Sequence, residues 1–231
     1  MLDKLVLFDI DLTMIKSNGS GLKAMEQYFR DFTGHEGEVH PTRPDGKSDR
    51  WIVAELFRIN GKDYDESLYE KFMAGYFEIL KEHFAKENSA MLLPGVRELI
   101  DTIEKRDDLY LALVTGNDER GARIKLAPFG LNETFPVGGF GCDSILRADL
   151  IPLAIQRADR HYGRLFIPGE TIMIGDSEND VHSSNMAGVN CIAVATGIAQ
   201  KEDLEATGDC RIVDDLGDTG SIMNLIDNFR E

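Results

Sequence analysis

Basic residues are scarce in this chain of 231 residues. It has 25 Lys and Arg against 41 Asp and Glu, which gives a formal net charge of −16. Nucleic acids and anionic lipid surfaces are bound mainly through Lys and Arg. The charge balance therefore argues against both classes of partner, and we expect this protein to bind neither a nucleic acid nor a membrane.

Cysteine and long apolar runs are rare as well. The three cysteines, Cys142, Cys191 and Cys210, form no C-x-x-C pair and are too scattered for a disulfide framework. No apolar run approaches the roughly 18 residues of a membrane span. Residues 1–4 lack the basic and then apolar profile of a signal peptide. We expect a soluble, cytoplasmic protein with reduced thiols.

Apolar patterning divides the chain into three stretches. Residues 5–8 form a short apolar run that ends at Asp9, which is typical of a strand buried on both faces. Residues 18–90 show only helical periodicity, whereas strands and helices alternate after Pro94. Such alternation favours right-handed βαβ units. We therefore predict an α/β fold: a parallel sheet with helices on both faces in residues 1–17 and 91–231, and an inserted helical domain in residues 18–90.

The alternating stretch is assigned in more detail from its apolar periodicity. The predicted strands are residues 109–114, 134–137, 171–174 and 191–194. The predicted helices are one that begins at Pro94 and includes residues 96–103, and those at residues 118–128, 149–162 and 179–187. The glycine-rich segment 137–141 lacks the third glycine of a nucleotide-binding loop and is interpreted as a turn at a sheet edge.

Polar side chains cluster where the predicted strands end. The first strand runs into Asp9-Ile10-Asp11-Leu12-Thr13, the second into Thr115-Gly116-Asn117, and the strand at 171–174 into Gly175-Asp176, with Asp180 four residues on. Arg147 precedes the helix at 149–162. Ligands of open parallel sheets bind at the carboxyl ends of the strands. An Asp after a strand is often only a helix cap or a turn former, but several at successive strand ends indicate a site.

These residue types suit phosphoryl transfer. Asp9, Asp11 and Asp176 offer hard oxygen ligands, which favour Mg²⁺, and the five histidines form no pair typical of a zinc site. The hydroxyl of Thr115, the amides of Gly116 and Asn117 and the forked cation of Arg147 match phosphate oxygens. A carboxylate can act as the nucleophile, and a second one can move the proton.

The chain resembles the haloacid dehalogenase-like hydrolases, whose core carries four spaced motifs. Asp9-x-Asp11-x-Thr13 is similar to the first, Thr115 to the second, Arg147 to the third and Gly175-Asp176-x-x-x-Asp180 to the fourth. The resemblance spans about residues 4–15 and 91–231 and implies a Rossmann-like core with a small α-helical cap, as in phosphoglycolate-phosphatase-like members.

The resemblance also implies a role for each matching residue. Asp9 would be the nucleophile, and Asp11 the acid/base whose backbone carbonyl also binds Mg²⁺. Thr115 and Arg147, with Gly116 and Asn117, would hold the phosphoryl group. Asp9, Asp11 and Asp176 would bind the metal, and Asp180 would support the metal waters or Arg147.

Two positions depart from the family pattern. Leu12 stands where glycine is usual, and Arg147 stands where lysine is usual. Lys125 is a rival for the role of Arg147, although it lies in a predicted helix well before the expected position. The second carboxylate, Asp11, favours phosphate chemistry, because dehalogenating relatives lack it. Lys47 is interpreted as a solvated loop charge with no apolar neighbour, rather than as the Schiff-base lysine of phosphonate-cleaving relatives.

The sequence thus predicts a Mg²⁺-dependent phosphatase that hydrolyses a small phosphorylated metabolite through an aspartyl-phosphate. A sugar phosphomutase of the same family, or a non-catalytic regulatory protein that keeps the fold, are the alternatives. Residues 18–21 are interpreted as a hinge between cap and core. The chain could be a monomer or a homodimer.

Overall fold

The computed structural model describes residues 3–41, 46–86 and 90–229. Its central feature is a six-stranded sheet of order β5-β4-β1-β6-β7-β8, in which every pair of neighbours is parallel. The strands of this sheet are β1 (Lys4–Phe8), β4 (Leu109–Thr115), β5 (Gly138–Phe140), β6 (Thr171–Gly175), β7 (Asn190–Val194) and β8 (Arg211–Val213). Two further strands, β2 (Ile15–Lys16) and β3 (Met91–Leu92), form a separate antiparallel pair.

Helices cover both faces of the sheet, as predicted. The helices of this layer are α4 (Val96–Ile103), α5 (Glu119–Leu126), α6 (Leu150–Tyr162), α7 (Glu178–Ala187), α8 (Lys201–Thr207) and α9 (Thr219–Asp227). Alternate residues of β1 enter different cores, because side chains of a strand point to opposite faces. Val6 and Phe8 pack in the cluster that includes α4 and α9, whereas Leu5 and Leu7 pack in the cluster that includes α6.

A helical insertion, α1 (Ser20–Thr33), α2 (Asp49–Ile59) and α3 (Glu66–Phe84), lies between β2 and β3. It has its own aromatic core, in which the rings of Phe29 and Phe57 meet edge to face at 5.0 Å and those of Phe57 and Phe72 at 5.8 Å. Burial of aromatic side chains in such pairs is a large favourable term. The insertion therefore has a core separate from those that flank the sheet.

The antiparallel pair is where the chain enters and leaves this insertion. Ile15 of β2 pairs with Leu92 of β3. These two short strands flank the predicted cap of residues 18–90, of which residues 42–45 and 87–89 lie outside the described ranges.

One element of the sequence-based prediction is wrong. The edge strand is β5, at Gly138–Phe140, whereas the pattern predicted a strand at 134–137 and a turn at 137–141. The apolar residue Phe135, which favoured a strand at 134–137, packs in the core beside Phe8 without belonging to a strand; their ring centroids are 5.7 Å apart. The two glycines carry little strand propensity, and they become a strand because they pair with β4.

The strand order places β1 between β4 and β6, all running in the same direction. Their carboxyl ends consequently meet at one edge of the sheet, below the helical insertion. The fold class predicted from the sequence is confirmed.

Candidate active site

A cleft of about 960 Å³ lies between this sheet edge and the helical insertion. The ends of β1, β4 and β6 supply Asp9, Thr115 and Asp176 to its lining, and α1 and α3 supply Met25 and Tyr76. The structure thus brings together, in one cleft, residues that the sequence placed at three separate strand ends.

Asp9 is the first polar residue after β1 and is buried. Burial raises the pKa of its carboxyl to about 6; the charge of Arg147 opposes this, and the charges of Asp180 and Asp11 add to it. The guanidinium of Arg147 lies 2.9 Å from Asp9 Oδ1. This contact stabilises the ionised form that a nucleophile requires.

Arg147 reaches the cleft from a short 3₁₀ turn, residues 147–149, ahead of α6. Its Nε donates to Asp180 Oδ1 at 3.0 Å, and its Nη2 contacts both Asp180 and Asp9. A planar fork suits this task, because it can bind two carboxylates at once. Asp180 is in turn held at the start of α7, where Ser177 donates to its Oδ2 through N–H and hydroxyl.

Asp176 completes an acidic cluster. One carboxylate oxygen from each of Asp9, Asp176 and Asp180 lies within 4.8 Å of the others, and all three residues are buried. Burial, together with the charges of Asp9 and Asp180, raises the pKa of Asp176 well above its ordinary value. Thr13 donates to Asp176 Oδ1 at 2.7 Å. Closely spaced hard oxygens that repel one another are a donor set that fits a small divalent cation.

The loop after β4 connects the phosphate-binding candidates to Asp11. Asn117 donates through Nδ2 to Thr115 Oγ1 at 2.7 Å and to Asp11 Oδ2 at 2.8 Å. Because Thr115 Oγ1 accepts from Asn117, its own proton can be donated to another group. The carboxylate of Asp11 therefore points to this loop and lies apart from the acidic cluster.

Lys125 lines the cleft, but it does not occupy the position beside Asp9 for which it was an alternative to Arg147. Its Nζ lies 2.6 Å from Asp11 Oδ2, and its side chain is 5% exposed. Arg147 is the residue that contacts Asp9. One signal in the sequence could have located Lys125: it lies on the buried face of α5 with Gly121, Ala122 and Leu126, where a lysine needs a partner.

Asp49, the first residue of α2, is a site residue that the sequence analysis missed. Its carboxylate Oδ2 accepts from the backbone N–H of Asp118 at 2.8 Å, and its own N–H donates to the carbonyl of Gly116 at 2.7 Å. Burial raises its pKa to about 7, although the charge of Lys125 opposes the shift. Asp49 thus ties the helical insertion to the loop after β4.

Lys47, just ahead of α2, also differs from its interpretation as a solvated charge without apolar neighbours. The residue is half-buried, and its ammonium lies 5.7 Å from the centre of the Trp51 ring. Its backbone carbonyl approaches Gly116 so closely that a Cβ at Gly116 would lie 2.3 Å from it. The insertion is packed directly on the sheet edge here.

Comparison with known families agrees with this arrangement. A family model described as haloacid dehalogenase-like hydrolase matches residues 6–194, which include every candidate residue named above. The chain belongs to the haloacid dehalogenase-like hydrolases. The predicted resemblance and the prediction of a hydrolase are confirmed.

Curated relatives of this haloacid dehalogenase-like hydrolase include enzymes named for phosphate chemistry. A phosphoglycolate phosphatase of Pseudomonas putida is 25% identical over 223 residues, covering 93% of this chain and 78% of the relative. A pyrophosphatase, PpaX, of Halalkalibacterium halodurans is 27% identical over 199 residues, covering 84% of each chain. These relatives match across most of their length.

Solved structures show the same fold. CbbY from Rhodobacter sphaeroides, crystallised in complex with phosphate, superposes with a TM-score of 0.75 at 21% identity. The match covers 95% of this chain and 97% of that one. Within the part of the chain that the structure describes, no helix is long and apolar enough to span a membrane.

Leu12 departs from the usual glycine of the haloacid dehalogenase-like hydrolases, and its backbone shows why glycine is usual. Its φ is 62°, in the left-handed region that is unfavourable for residues with a Cβ. The turn is kept by hydrogen bonds from the Leu12 N–H to the carbonyl of Ile15 and from Thr196 Oγ1 to the carbonyl of Leu12. These two hydrogen bonds hold the loop that carries Asp9 and Asp11 in a left-handed turn despite the leucine.

Asn18 and Gly19, in the predicted hinge, also have positive φ angles of 50° and 76°. They lie between β2 and α1, where the chain passes into the insertion. The role of residues 18–21 as a hinge stays a prediction.

Proposed function

We propose that this protein is a Mg²⁺-dependent phosphatase that hydrolyses a small phosphomonoester through an aspartyl-phosphate intermediate on Asp9. The observation that carries the proposal is the separation of two carboxylates that stand two residues apart. Asp9 lies against Arg147 and the acidic cluster, whereas Asp11 lies against Asn117 and Lys125. This separation supports attack on phosphorus by Asp9 and proton transfer by Asp11.

The residues that would hold Mg²⁺ are Asp9 and Asp176, with the backbone carbonyl of Asp11 as the family resemblance implies. When bound, Mg²⁺ supplies positive charge that offsets the repulsion among the carboxylates and the phosphate. Asp180 acts on the cluster through Arg147, which it holds in place. Thr115, Gly116 and Arg147 supply donors to the phosphate oxygens. Asn117, whose two amide protons go to Thr115 and Asp11, orients the Thr115 hydroxyl instead.

In the first step, a carboxylate oxygen of Asp9 attacks phosphorus, and the bond from phosphorus to the ester oxygen breaks. Protonated Asp11 gives its proton to that leaving oxygen, so an alcohol departs. In the second step, Asp11 takes a proton from water as the water oxygen attacks the phosphoryl group. The bond from phosphorus to Asp9 breaks, which releases phosphate and restores the carboxylate.

The helical insertion would act as a mobile cap that excludes bulk water during transfer. Its packing on the sheet edge through Asp49 and Lys47 supports this role. Exclusion of water strengthens the electrostatic contacts in the cleft and protects the phosphoryl group from uncontrolled transfer.

The substrate class follows from the relatives and the cleft. The names of the Pseudomonas putida and Halalkalibacterium halodurans relatives point to phosphoglycolate and pyrophosphate, both small phosphate compounds. We therefore assign a small phosphorylated metabolite as the substrate. A sugar phosphomutase would pass the phosphoryl group to a sugar instead of to water.

The test is hydrolysis of 4-nitrophenyl phosphate, phosphoglycolate and pyrophosphate by wild type, Asp9→Asn and Asp31→Asn, with and without Mg²⁺. Asp31 is an exposed acidic residue of α1 and serves as the matched control. We expect turnover that needs both Mg²⁺ and Asp9 and is unchanged in Asp31→Asn. Turnover of Asp9→Asn within tenfold of wild type would remove Asp9 from the nucleophile role. Interconversion of sugar phosphates without release of phosphate would favour the mutase.

A further inference from the structure

Lys125 is a buried cation that has no role in the four motifs of the family. It is 4% exposed, and it lies on the face of α5 that packs into the protein. An ammonium group so far from water is stable only with a partner of opposite charge. Its partner is the carboxylate of Asp11, 2.6 Å from Nζ.

The two donors to Asp11 fall on the same oxygen. Lys125 Nζ and Asn117 Nδ2 both donate to Oδ2, at 2.6 and 2.8 Å. Two donors on one oxygen fix the plane of the carboxyl group and keep Oδ1 for another contact. The side chain of Asp11 is still 38% exposed. A substrate oxygen or a water molecule can therefore approach it from the cleft.

The helical insertion seals this pair. Gly21, near the start of α1, packs on the amine: a Cβ at this position would lie 3.1 Å from Lys125 Nζ and 3.3 Å from its Cε. The hydroxyl of Tyr76, from α3, lies 3.9 Å from the same point. With the insertion closed, Lys125 is shielded from water on that side, so its hydrogen bond holds Oδ2 of Asp11 firmly and leaves Oδ1 to carry the proton.

We propose that Lys125 is a positioning residue that orients Asp11 for proton transfer to the leaving group, and that Gly21 leaves the room this requires. The inference rests on the proposed phosphatase function. A role in binding a second anionic group of the substrate is less well supported, since the amine already contacts Asp11. Arg147 performs the separate task of contacting Asp9.

The test compares esters with different leaving groups. Glycerol 1-phosphate, the alkyl ester, has no second anionic group and expels a basic alkoxide that needs a proton, whereas 4-nitrophenyl phosphate expels a weakly basic phenoxide. Phosphoglycolate, an alkyl phosphate with a second anionic group, is compared with both. The quantity to compare is kcat/KM, because it reports the step that releases the leaving group, whereas kcat also contains hydrolysis of the aspartyl-phosphate. The variants are Lys125→Met and Lys125→Arg, with Lys105→Met, an exposed lysine, as the control.

We expect Lys125→Met to lose about 100-fold in kcat/KM for the alkyl ester and less than about tenfold for the aryl ester, in line with the contribution of general acids. Lys125→Arg should restore part of the loss, and Lys105→Met should change neither value. Retained turnover of the aryl ester would also show that Lys125→Met is folded.

Gly21→Ala gives a second, independent variant. Alanine is a better helix former than glycine, so the substitution should not weaken α1, but its methyl group would press on Lys125. We expect the same selective loss for the alkyl ester, of about tenfold, without a lower melting temperature. Gly220→Ala, in α9 and away from the cleft, is the matched control.

Several outcomes would overturn the proposal. Equal losses for both esters would give Lys125 a merely structural role, and a higher KM confined to substrates with a second anionic group would make it a substrate-binding residue. Both results leave the phosphatase function intact. If the wild type hydrolysed neither ester, the phosphatase function would be overturned together with the role of Lys125.

Discussion

Arg147 bridges Asp9 and Asp180: its Nη2 lies 2.9 Å from Asp9 Oδ1, and its Nε lies 3.0 Å from Asp180 Oδ1. One cation thus joins the end of β1 to the start of α7. All three side chains are buried, so none of these charges is relieved by water. The bridge makes the position of the candidate nucleophile depend on a residue that follows a different strand.

The first prediction concerns this bridge. Arg147→Met should lower kcat/KM for a small phosphomonoester at least 100-fold, the order seen when one preorganised donor is removed from an active site. Arg147→Lys should stay within about tenfold of wild type, because an ammonium can still contact Asp9. Steady-state kinetics at saturating Mg²⁺ measure both. Equal activity of Arg147→Met and wild type would show that Arg147 does not take part in binding or transferring the phosphoryl group.

The second prediction concerns Asp49 and pH. Burial raises its pKa to about 7 in the closed protein; the charge of Lys125 and the N–H of Asp118 oppose the shift, and the charges of Asp118 and Asp11 reinforce it. In the open or unfolded protein its pKa returns toward 3.8. The closed form therefore binds the proton more tightly. The contribution of protonated Asp49 to the stability of the closed form is complete below about pH 4. It is lost as the pH rises to about 7, so raising the pH favours opening.

Asp49→Asn should remove this dependence. We expect it to stabilise the closed form by on the order of 2 kcal/mol at pH 8 and to have little effect near pH 4. Hydrogen exchange of residues 115–121, compared between wild type and Asp49→Asn at each pH, measures the opening, because the N–H of Asp118 donates to Asp49. A difference between the two proteins that does not grow with pH would contradict the prediction.

The sheet and the strand-end residues could be predicted because they depend on local pattern. A run such as residues 5–8 is too short for a typical helix and is characteristic of a buried strand, so the polar residue after it is expected at the sheet edge. Asp9, Thr115 and Asp176 follow directly from that rule. The edge strand β5 could not be predicted in this way, because Gly138 and Gly139 become a strand only through their pairing with β4.

Contacts between side chains that lie far apart in the chain could not be predicted in this way. Asp49 and Asp118 are 69 positions apart, and Lys125 and Asp11 are 114 apart. The first contact depends on how the insertion packs on the sheet edge and the second on how α5 packs on the sheet, and no local pattern records either. Lys125 on a buried helix face indicated that a partner exists, but the partner's identity came only from the structure.

The third prediction concerns Gly116, where the insertion touches the sheet edge. A Cβ on Gly116 would lie 2.3 Å from the carbonyl oxygen of Lys47 and 3.2 Å from the Cα of Ser48. Both are backbone atoms, so the clash cannot be relieved by a rotamer change. Gly116→Ala should therefore hold the insertion away from the sheet and lower kcat/KM more than tenfold.

Gly220→Ala is the control for this substitution, since a Cβ there meets only ordinary contacts. Because Gly116→Ala blocks closure and leaves the cores intact, its melting temperature should stay close to that of the control. Hydrogen exchange should be faster at residues 46–49 in Gly116→Ala alone. Wild-type kinetics in this variant would show that catalysis does not need the contact between Lys47 and Gly116.

The fourth prediction concerns the acidic cluster. We expect the effect of Asp176→Asn on the melting temperature to reverse sign when Mg²⁺ is added. Without metal, burial and the charges of Asp9 and Asp180 disfavour ionised Asp176, so Asp176→Asn should melt at a higher temperature than wild type. With Mg²⁺ at 100 times its dissociation constant, the wild type should gain about 2.7 kcal/mol, because the cluster exists only in the folded chain. For a protein of this size that corresponds to a rise of about 5–10 °C in melting temperature.

Asp176→Asn should lose most of this gain, since an amide oxygen replaces a charged ligand while Thr13 keeps an acceptor for its hydroxyl. Differential scanning calorimetry in EDTA and in MgCl₂, with KCl added to equal ionic strength, measures the four melting temperatures. An equal rise in both proteins would assign the Mg²⁺ effect to general screening rather than to this cluster. A higher melting temperature of Asp176→Asn in EDTA together with a lower one in Mg²⁺ identifies the repulsion that the metal relieves.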